Sequence, residues 1–163
     1  MDADSRLAAA QHQLDLILSF YGRVDAKLSV VLGIDLAMLG VFFTKVALAK
    51  SLPFVVLASG IVFCFLMFGS LLQLFRGSFP DLNGGHSSLV YFREIAKLRE
   101  SEFRDSYGGL TADKLAEDFL EQSWRNAKIL TMKFDRLKAS YICMAFATLP
   151  WSIGLAWLVA KGS

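Results

Sequence analysis

The chain has few side chains of the types that carry out catalysis. His12 lies on a predicted helix and His86 in a predicted loop, and neither has a nucleophile or a carboxylate at a spacing typical of an active site. The sequence contains no phosphate-loop or dinucleotide-binding motif. Cys64 and Cys143 lie in apolar segments with no other metal ligand at a suitable spacing. We therefore expect no enzyme activity, no metal site and no cofactor.

One ionisable residue lies inside a long apolar segment. Asp35 is near the middle of residues 27–49, and a charged side chain at the centre of a bilayer costs roughly 2.5–3.5 kcal/mol on insertion scales. Two interpretations remain open. The carboxylate could line a pore or control assembly, or its hydrogen bonds could be satisfied by a neighbouring helix or by local water.

Two polar segments contain residue types that bind anions. Residues 83–88 (NGGHSS) combine glycines with a predicted helix start, where backbone N–H groups can hold an anion. A plain loop with a helix cap explains the same residues. Arg125, Lys133 and Arg136 share one face of a later predicted helix, and this face could bind a phosphate, bind anionic lipid headgroups or be solvated.

Three apolar segments place these residues relative to a membrane. Hydrophobic residues make up 55% of the chain, more than is usual for a soluble domain. The excess falls in residues 27–49, 53–75 and 139–160, each close to the roughly 20 residues that a helix needs to cross about 30 Å of hydrocarbon. The sequence predicts an all-α membrane protein with three transmembrane helices plus cytoplasmic helices.

The basic residues predict the orientation. Of the 17 Lys and Arg residues, 3 lie at or before residue 27 and 11 lie between residues 76 and 138, and the positive-inside rule assigns both segments to the cytoplasm. In a bacterium the protein would lie in the inner membrane, with the N-terminus in the cytoplasm and the C-terminus in the periplasm. The near balance of these residues with 15 Asp and Glu argues against nucleic-acid binding.

The predicted domains follow from these segments. They are a cytoplasmic amphipathic helix (1–26), a transmembrane hairpin (27–75), a cytoplasmic helical region (76–138) and a third span with a short tail (139–163). Within 76–138 we expect one helix to start after residue 87 or 88 and to continue to about residue 107.

Two cytoplasmic helices are predicted to continue into the membrane. Mostly apolar residues recur at alternating spacings of three and four in residues 7–28 and again in residues 116–141, which is a seven-residue repeat. The second stripe places Leu120, Phe134 and Tyr141 on the apolar side of its helix. Both stripes lead into an apolar segment without a strong helix breaker, and they suggest a homo-oligomer.

Several short stretches together resemble one known family. They are residues 24–27 (VDAK), 87–92 (SSLVYF), 95–98 (IAKL), 118–122 (DFLEQ), 127–128 (AK) and Lys133. In this order they look like the transmembrane effectors of Pycsar, the bacterial pyrimidine-cyclase antiphage system. The resemblance covers about residues 20 to 160, and SSLVYF is its most specific part.

The resemblance implies a function. A companion cyclase makes cyclic UMP or cyclic CMP on infection, the messenger activates the effector, and the effector impairs the inner membrane, which kills or arrests the cell. The expected partners are the lipid bilayer, the cyclic pyrimidine nucleotide and further copies of the chain. The alternative is a constitutive small helical channel or membrane scaffold with no nucleotide ligand.

The chemistry of the messenger suggests where it binds. A cyclic pyrimidine nucleotide has one negative phosphate, a ribose hydroxyl and a flat base, so its site needs a cation or helix N-terminus, polar hydrogen-bonding groups and an aromatic surface. The candidates of these types on the cytoplasmic helices are Ser88, Tyr91, Phe92, Gln122, Trp124, Arg125, Asn126 and Lys133. Asp25, Lys27 and Asp35 are candidates for coupling to the membrane or for a pore. Helix packing is the competing explanation for most of these residues.

Overall fold

A computed structural model describes residues 2–79, 85 and 87–162, with side chains described up to residue 160. These residues form five α-helices and no strand: α1 (Ala3–Leu48), α2 (Phe54–Ser78), α3 (Phe92–Ile95), α4 (Glu100–Gly108) and α5 (Ala112–Gly162). By length and composition α1, α2 and α5 can each cross a membrane. The predicted all-α membrane class with three spans is confirmed.

The apolar helices leave large hydrophobic side chains on their outer surfaces. Phe54 and Phe65 on α2 are 81% and 75% exposed, and Phe43, Phe146 and Leu149 on the other two helices are also exposed. Soluble proteins rarely leave so much apolar surface in contact with water. These apolar surfaces are therefore suited to contact with lipid.

Two of the helices are unusually long. α1 has 46 residues and continues through Gly22 and Gly33, while α5 has 51 residues and contains Pro150. α5 begins where the Thr111 hydroxyl accepts a hydrogen bond from the Lys114 N–H, as a helix N-cap does. Each helix joins an amphipathic segment to an apolar one, so the predicted continuity of both is confirmed.

The chain packs as two compact units, and α1 and α5 contribute residues to both. The first unit comprises the described residues of 1–23 and 80–132, and the second unit comprises those of 24–79 and 133–163. In the first unit the start of α1 contacts the start of α5, and Arg6 forms an ion pair with Asp113. Ala10, Leu14 and Ala116 are buried there.

The second unit is a bundle of the three apolar helices. Its core contains Met38 and Phe42 of α1, Phe63 and Met67 of α2, and Ala147 of α5. The Phe42 and Phe63 rings lie 4.9 Å apart between centroids.

One glycine allows α5 to approach the other two helices closely. A Cβ atom on Gly154 would lie 2.8 Å from the Phe42 ring and 3.0 Å from the Ser59 hydroxyl. The Trp151 indole N–H, one turn earlier, donates a hydrogen bond to the Met38 carbonyl at 3.1 Å. Small residues at such contacts are typical of helix pairs in membranes, where close packing replaces the hydrophobic effect.

The helix predicted to start after residue 87 or 88 and to continue to about residue 107 is interrupted. The structure has the short α3 and the separate α4, with residues 96–99 between them. Ser87 has a positive φ of 62°, and side-chain hydrogen bonds hold residues 88–91 outside a helix. α4 then begins at its own cap, where the Glu102 carboxylate accepts the Arg99 N–H.

The inward face of α5 also differs from the prediction. Ala116, Ser123 and Leu137 of the predicted apolar side are buried, but Leu120, Phe134 and Tyr141 of the same side are exposed. Gln122 and Lys133, which the pattern placed on the opposite side, are buried. In the second unit the reason is the solvent, because lipid gives apolar side chains no incentive to turn inward.

Candidate functional site

Ser88 and Asp118 belong to a partly buried network of hydrogen bonds in the first unit. The Ser88 hydroxyl donates to one Asp118 carboxylate oxygen at 2.6 Å, and the Leu89 N–H donates to the other at 2.8 Å. The same hydroxyl accepts hydrogen bonds from the N–H groups of Val90 and Tyr91 at 3.1 and 2.9 Å. The hydrogen-bonding capacity of Ser88 is therefore used within the protein, and its observed contacts fix the segment before α3.

A second polar group lies around Gln122 on α5. The Gln122 side chain is 3% exposed, and its Nε2 has no hydrogen-bond partner among the described residues. The backbone of Gly85 comes so close that a Cβ atom there would lie 3.0 Å from Gln122 Nε2 and 3.6 Å from the Arg125 guanidinium carbon. Within the described part of the chain this buried amide donor is unsatisfied beside a cation, which is unusual because such groups are nearly always paired.

The Arg125 side chain is partly buried, and a neighbouring carboxylate partly neutralises its charge. Its guanidinium forms an ion pair with Glu121 one turn earlier, with 2.5 Å between Arg125 Nη2 and Glu121 Oε1. That pair uses the Nε and Nη2 groups of Arg125, so the guanidinium group keeps further N–H donors for other partners. We call Gln122, Arg125 and the Gly85 backbone the Gln122 site.

The Asn126 side chain forms hydrogen bonds within the fold, next to the Gln122 site. Its amide nitrogen donates to the Gln122 carbonyl at 2.8 Å. The Tyr21 hydroxyl donates to Asn126, with its oxygen 3.1 Å from the backbone carbonyl and 3.2 Å from the side-chain oxygen. This contact joins α1 to α5 within the first unit. Tyr21 was absent from the sequence candidates, although its place in the first seven-residue stripe marked it as inward-facing.

The aromatic candidates lie on the surface. Trp124 is 59% exposed and its ring is covered by Lys128, whose Nζ lies 3.8 Å from the ring centroid. Phe92 is also exposed and makes an edge contact with Tyr91 at 5.0 Å between centroids. Residues two apart on a helix point to different sides, so Trp124 does not share the side of α5 on which Gln122 lies.

Lys133 belongs to the second unit, where it contacts Asp25. The Lys133 Nζ lies 2.6 Å from Asp25 Oδ1, and the lysine side chain is 8% exposed against 51% for the aspartate. The buried ammonium is thus paired across α1 and α5, as a cation removed from water requires. Lys27, the third candidate at this level, is exposed and lines an open groove with Phe134 and Lys138.

Asp35 lies among the three helices of the second unit and is fully buried. The Ser70 hydroxyl oxygen of α2 lies 2.6 Å from Asp35 Oδ2, so a neighbouring helix supplies one hydrogen-bond partner, as in the second interpretation of this residue. The other carboxylate oxygen, Oδ1, has no partner among the described residues. A role for Asp35 in a pore stays a prediction.

The remaining sequence candidates for chemistry are dispersed. Among the described residues, no group of three or more His, Cys, Asp or Glu could hold a metal ion. His12 is exposed on α1, and His86 lies outside the described residues, as do residues 83 and 84 of the predicted anion loop. Because α3 begins only at Phe92, the predicted helix start after residue 87 or 88 is wrong, and the loop has no helix N-terminus there.

Comparison with known proteins identifies the family. No curated protein and no solved structure matches the chain. The family model PycTM, described as the Pycsar effector protein domain, matches residues 9–160. This range includes both units and all three candidate spans. The chain therefore belongs to the Pycsar effector family, whose members are transmembrane effectors and not known enzymes.

Proposed function

We propose that this Pycsar antiphage effector is activated by a cyclic pyrimidine nucleotide, cyclic UMP or cyclic CMP, and that the activated protein impairs the membrane without catalysing a reaction. The observation that carries the proposal is the family match over residues 9–160 in a chain with three helices able to span a membrane. The family links the protein to a companion cyclase system, which would supply the messenger.

The Gln122 site is the part of the first unit that we assign to the messenger. Arg125 would hold the single negative charge of the cyclic phosphate, and the unpartnered Gln122 amide would donate to a phosphate or base oxygen. Gly85 belongs to the same site because its backbone lies close to both groups, so that a Cβ atom there would be 3.0 Å from Gln122 Nε2. Ser88 and Asn126 act as positioning residues, since their hydrogen bonds are made within the protein.

Phe92 is the residue that we assign to the aromatic part of the site. A base needs a flat partner for stacking, and the Phe92 ring is exposed, whereas the Trp124 ring is covered by Lys128 and lies on another side of α5 than Gln122. Lys133 is not retained as a messenger ligand, because it is buried in the second unit beside Asp25. We propose instead that Asp25, Lys27 and Lys133 couple activation to the spans.

The cellular setting is part of the proposal. We place the protein in the bacterial inner membrane as a homo-oligomer, with its N-terminus in the cytoplasm and its C-terminus in the periplasm. The distribution of Lys and Arg residues supports this orientation. Exposed apolar residues on the outer sides of α5, among them Leu120 and Tyr141, are compatible with contacts between copies.

Binding to the purified full-length protein in detergent tests the proposal. Calorimetry with cyclic UMP, cyclic CMP, cyclic AMP and cyclic GMP should detect binding of a pyrimidine and not of the purines. Arg125→Gln removes a charged hydrogen bond worth about 1.5–3 kcal/mol, so the affinity should fall about tenfold or more. Lys114→Gln makes the same charge change at an exposed position of α5 and should leave binding unchanged.

Gln122→Leu separates a ligand contact from a packing contact. Leucine keeps most of the side-chain volume and removes a buried N–H donor that has no partner among the described residues, so the unliganded protein should be as stable as the wild type or more so. Messenger binding should weaken several-fold. Binding of no nucleotide to the wild type would contradict the proposal and favour the constitutive channel or scaffold.

A further inference from the structure

A chain of hydrogen bonds joins the three apolar helices of the second unit. Its members are Asp35 of α1, Ser70 of α2 and Ser140 of α5, all fully buried. The Ser70 hydroxyl oxygen lies 2.6 Å from Asp35 Oδ2, 2.8 Å from the Ser140 hydroxyl and 3.3 Å from the Ser140 carbonyl oxygen. Ser70 is the central link, because it contacts both other helices.

The number of hydrogens in this group depends on the state of Asp35. An ionised carboxylate only accepts, and each serine hydroxyl has one hydrogen to give. In that state Ser140 donates to Ser70 and Ser70 donates to Asp35. The carboxylate oxygen Oδ1 then keeps a share of a full negative charge with no donor among the described residues.

A protonated Asp35 satisfies the same geometry better. The acid hydrogen on Oδ2 is donated to Ser70, and Ser70 donates to the Ser140 carbonyl or hydroxyl oxygen, both within reach. Oδ1 is then the carbonyl oxygen of a neutral acid. Leaving a neutral acceptor without a partner costs much less than leaving a charged one.

The charged groups on the packed helices do not neutralise the carboxylate. On α5, Arg136 donates to the Gln73 side chain at 3.1 Å and Lys133 pairs with Asp25. Arg76 on α2 and Lys27 on α1 itself are exposed.

The other titratable groups of the packed helices offer no counter-charge either. These are the thiols of Cys64 on α2 and Cys143 on α5, and the exposed side chains of Lys45 on α1 and of Asp135, Lys138 and Tyr141 on α5. No cation lies within ion-pair distance of Asp35 among the described residues. An ionised Asp35 would therefore be a buried charge without a counter-charge.

We propose that Asp35, Ser70 and Ser140 form a proton-binding site inside the membrane-spanning bundle. Asp35 holds the proton in the packing described here, and the donor direction runs from α1 through α2 to α5. Loss of the proton to a base in solution reverses that direction and leaves an unpaired charge among apolar side chains. The three-helix packing is then weakened. The proposal does not depend on messenger binding.

Infrared difference spectroscopy of the full chain in lipid vesicles tests the proposal. The spectrum of the wild type minus that of Asp35→Asn at neutral pH should contain the carbonyl-stretch band of a protonated carboxyl group. Ser70→Ala should shift that band, because the acid loses its acceptor. Asp15→Asn, a change at an exposed position of α1, should leave the band in place.

Other results would overturn the proposal. A difference spectrum with carboxylate bands and no protonated band at neutral pH would show that Asp35 is ionised. Carboxylate bands that respond to sodium concentration would indicate an alkali cation in place of the proton. If Asp35→Asn does not fold, the wild type minus Ser70→Ala spectrum decides the matter, since only a protonated Asp35 gives a shifted acid band.

Thermal unfolding in detergent gives a second readout. Asparagine has the shape of a neutral aspartic acid and can donate to Ser70 in its place. Raising the pH from neutral to alkaline should therefore lower the unfolding temperature of the wild type by several degrees more than that of Asp35→Asn. Equal decreases in the two proteins would contradict the inference.

Discussion

Three polar candidates of the first unit differ in their side-chain hydrogen bonds. Ser88 and Asn126 have partners in the fold, while Gln122 Nε2 has none among the described residues. Residue types alone suggested all three as ligands. The sequence could not show which of them already has a hydrogen-bond partner, because this depends on which neighbours lie within hydrogen-bond distance in the fold.

At the residue scale, we expect Ser88→Ala to lower stability. The substitution leaves the Asp118 carboxylate without its 2.6 Å donor, and loss of a partner of a charged group costs about 1.5–3 kcal/mol. Urea or thermal unfolding in detergent measures the change, with the exposed Ser87→Ala as the control. If Ser88→Ala is as stable as its control but fails to bind the messenger, Ser88 is a ligand contact and its assigned positioning role is wrong.

The periodicity of apolar residues predicted the continuity of the long helices better than it predicted their buried sides. The seven-residue stripes and the absence of breakers predicted that α1 and α5 continue into the apolar segments, and both do. The same stripes predicted the buried side of α5 only in part, because Leu137 is buried as predicted but Lys133 and Ser140 also lie inward and Phe134 and Tyr141 lie outward. The use of periodicity to find the buried side of a helix assumes that water surrounds the helix. This assumption does not hold for apolar helices that lipid surrounds, as we expect in the second unit.

At the element scale, the Asp25–Lys133 pair should stabilise the contact between α1 and α5. Asp25→Asn leaves a mostly buried ammonium without its carboxylate and should cost about 1–3 kcal/mol, between the values for exposed and buried pairs. Lys133→Met removes the charge and keeps the stem volume, so it should cost less. Unfolding of both single variants and the double variant measures the coupling, and additive effects would show that the pair contributes nothing.

The start of α4 should respond to acid. Hydrogen bonds from the Arg99 side chain and backbone hold the pKa of the Glu102 carboxyl below its ordinary value of 4.5. A lowered pKa in the folded state means that the cap stabilises α4 above about pH 4.5 and that this contribution is lost as the pH falls through the lowered pKa. Hydrogen-exchange protection factors of the amides that follow Arg99, which compare each rate with the intrinsic rate at the same pH, should fall in acid for the wild type and should change less in Glu102→Gln. Identical pH profiles would contradict this account.

For the whole molecule, segment lengths and composition were enough to predict the class. Apolar segments of transmembrane length predicted three spans, and the resemblance carried by short motifs such as SSLVYF agrees with the family match over residues 9–160. The start of α3 only at Phe92 and the Asp35, Ser70 and Ser140 chain were not predicted. Each depends on hydrogen bonds between residues 30 or more positions apart, which local patterns do not record.

The central claim is that a pyrimidine messenger turns this protein into a membrane-damaging state. Dye leakage from liposomes that contain the full chain measures that claim most directly, with cyclic UMP, cyclic CMP, cyclic AMP and cyclic GMP added separately. We predict leakage with at least one cyclic pyrimidine and none with the purines, and Arg125→Gln should need about tenfold more messenger than Lys114→Gln. Leakage that is equal with every nucleotide, or absent with all of them, would contradict the account.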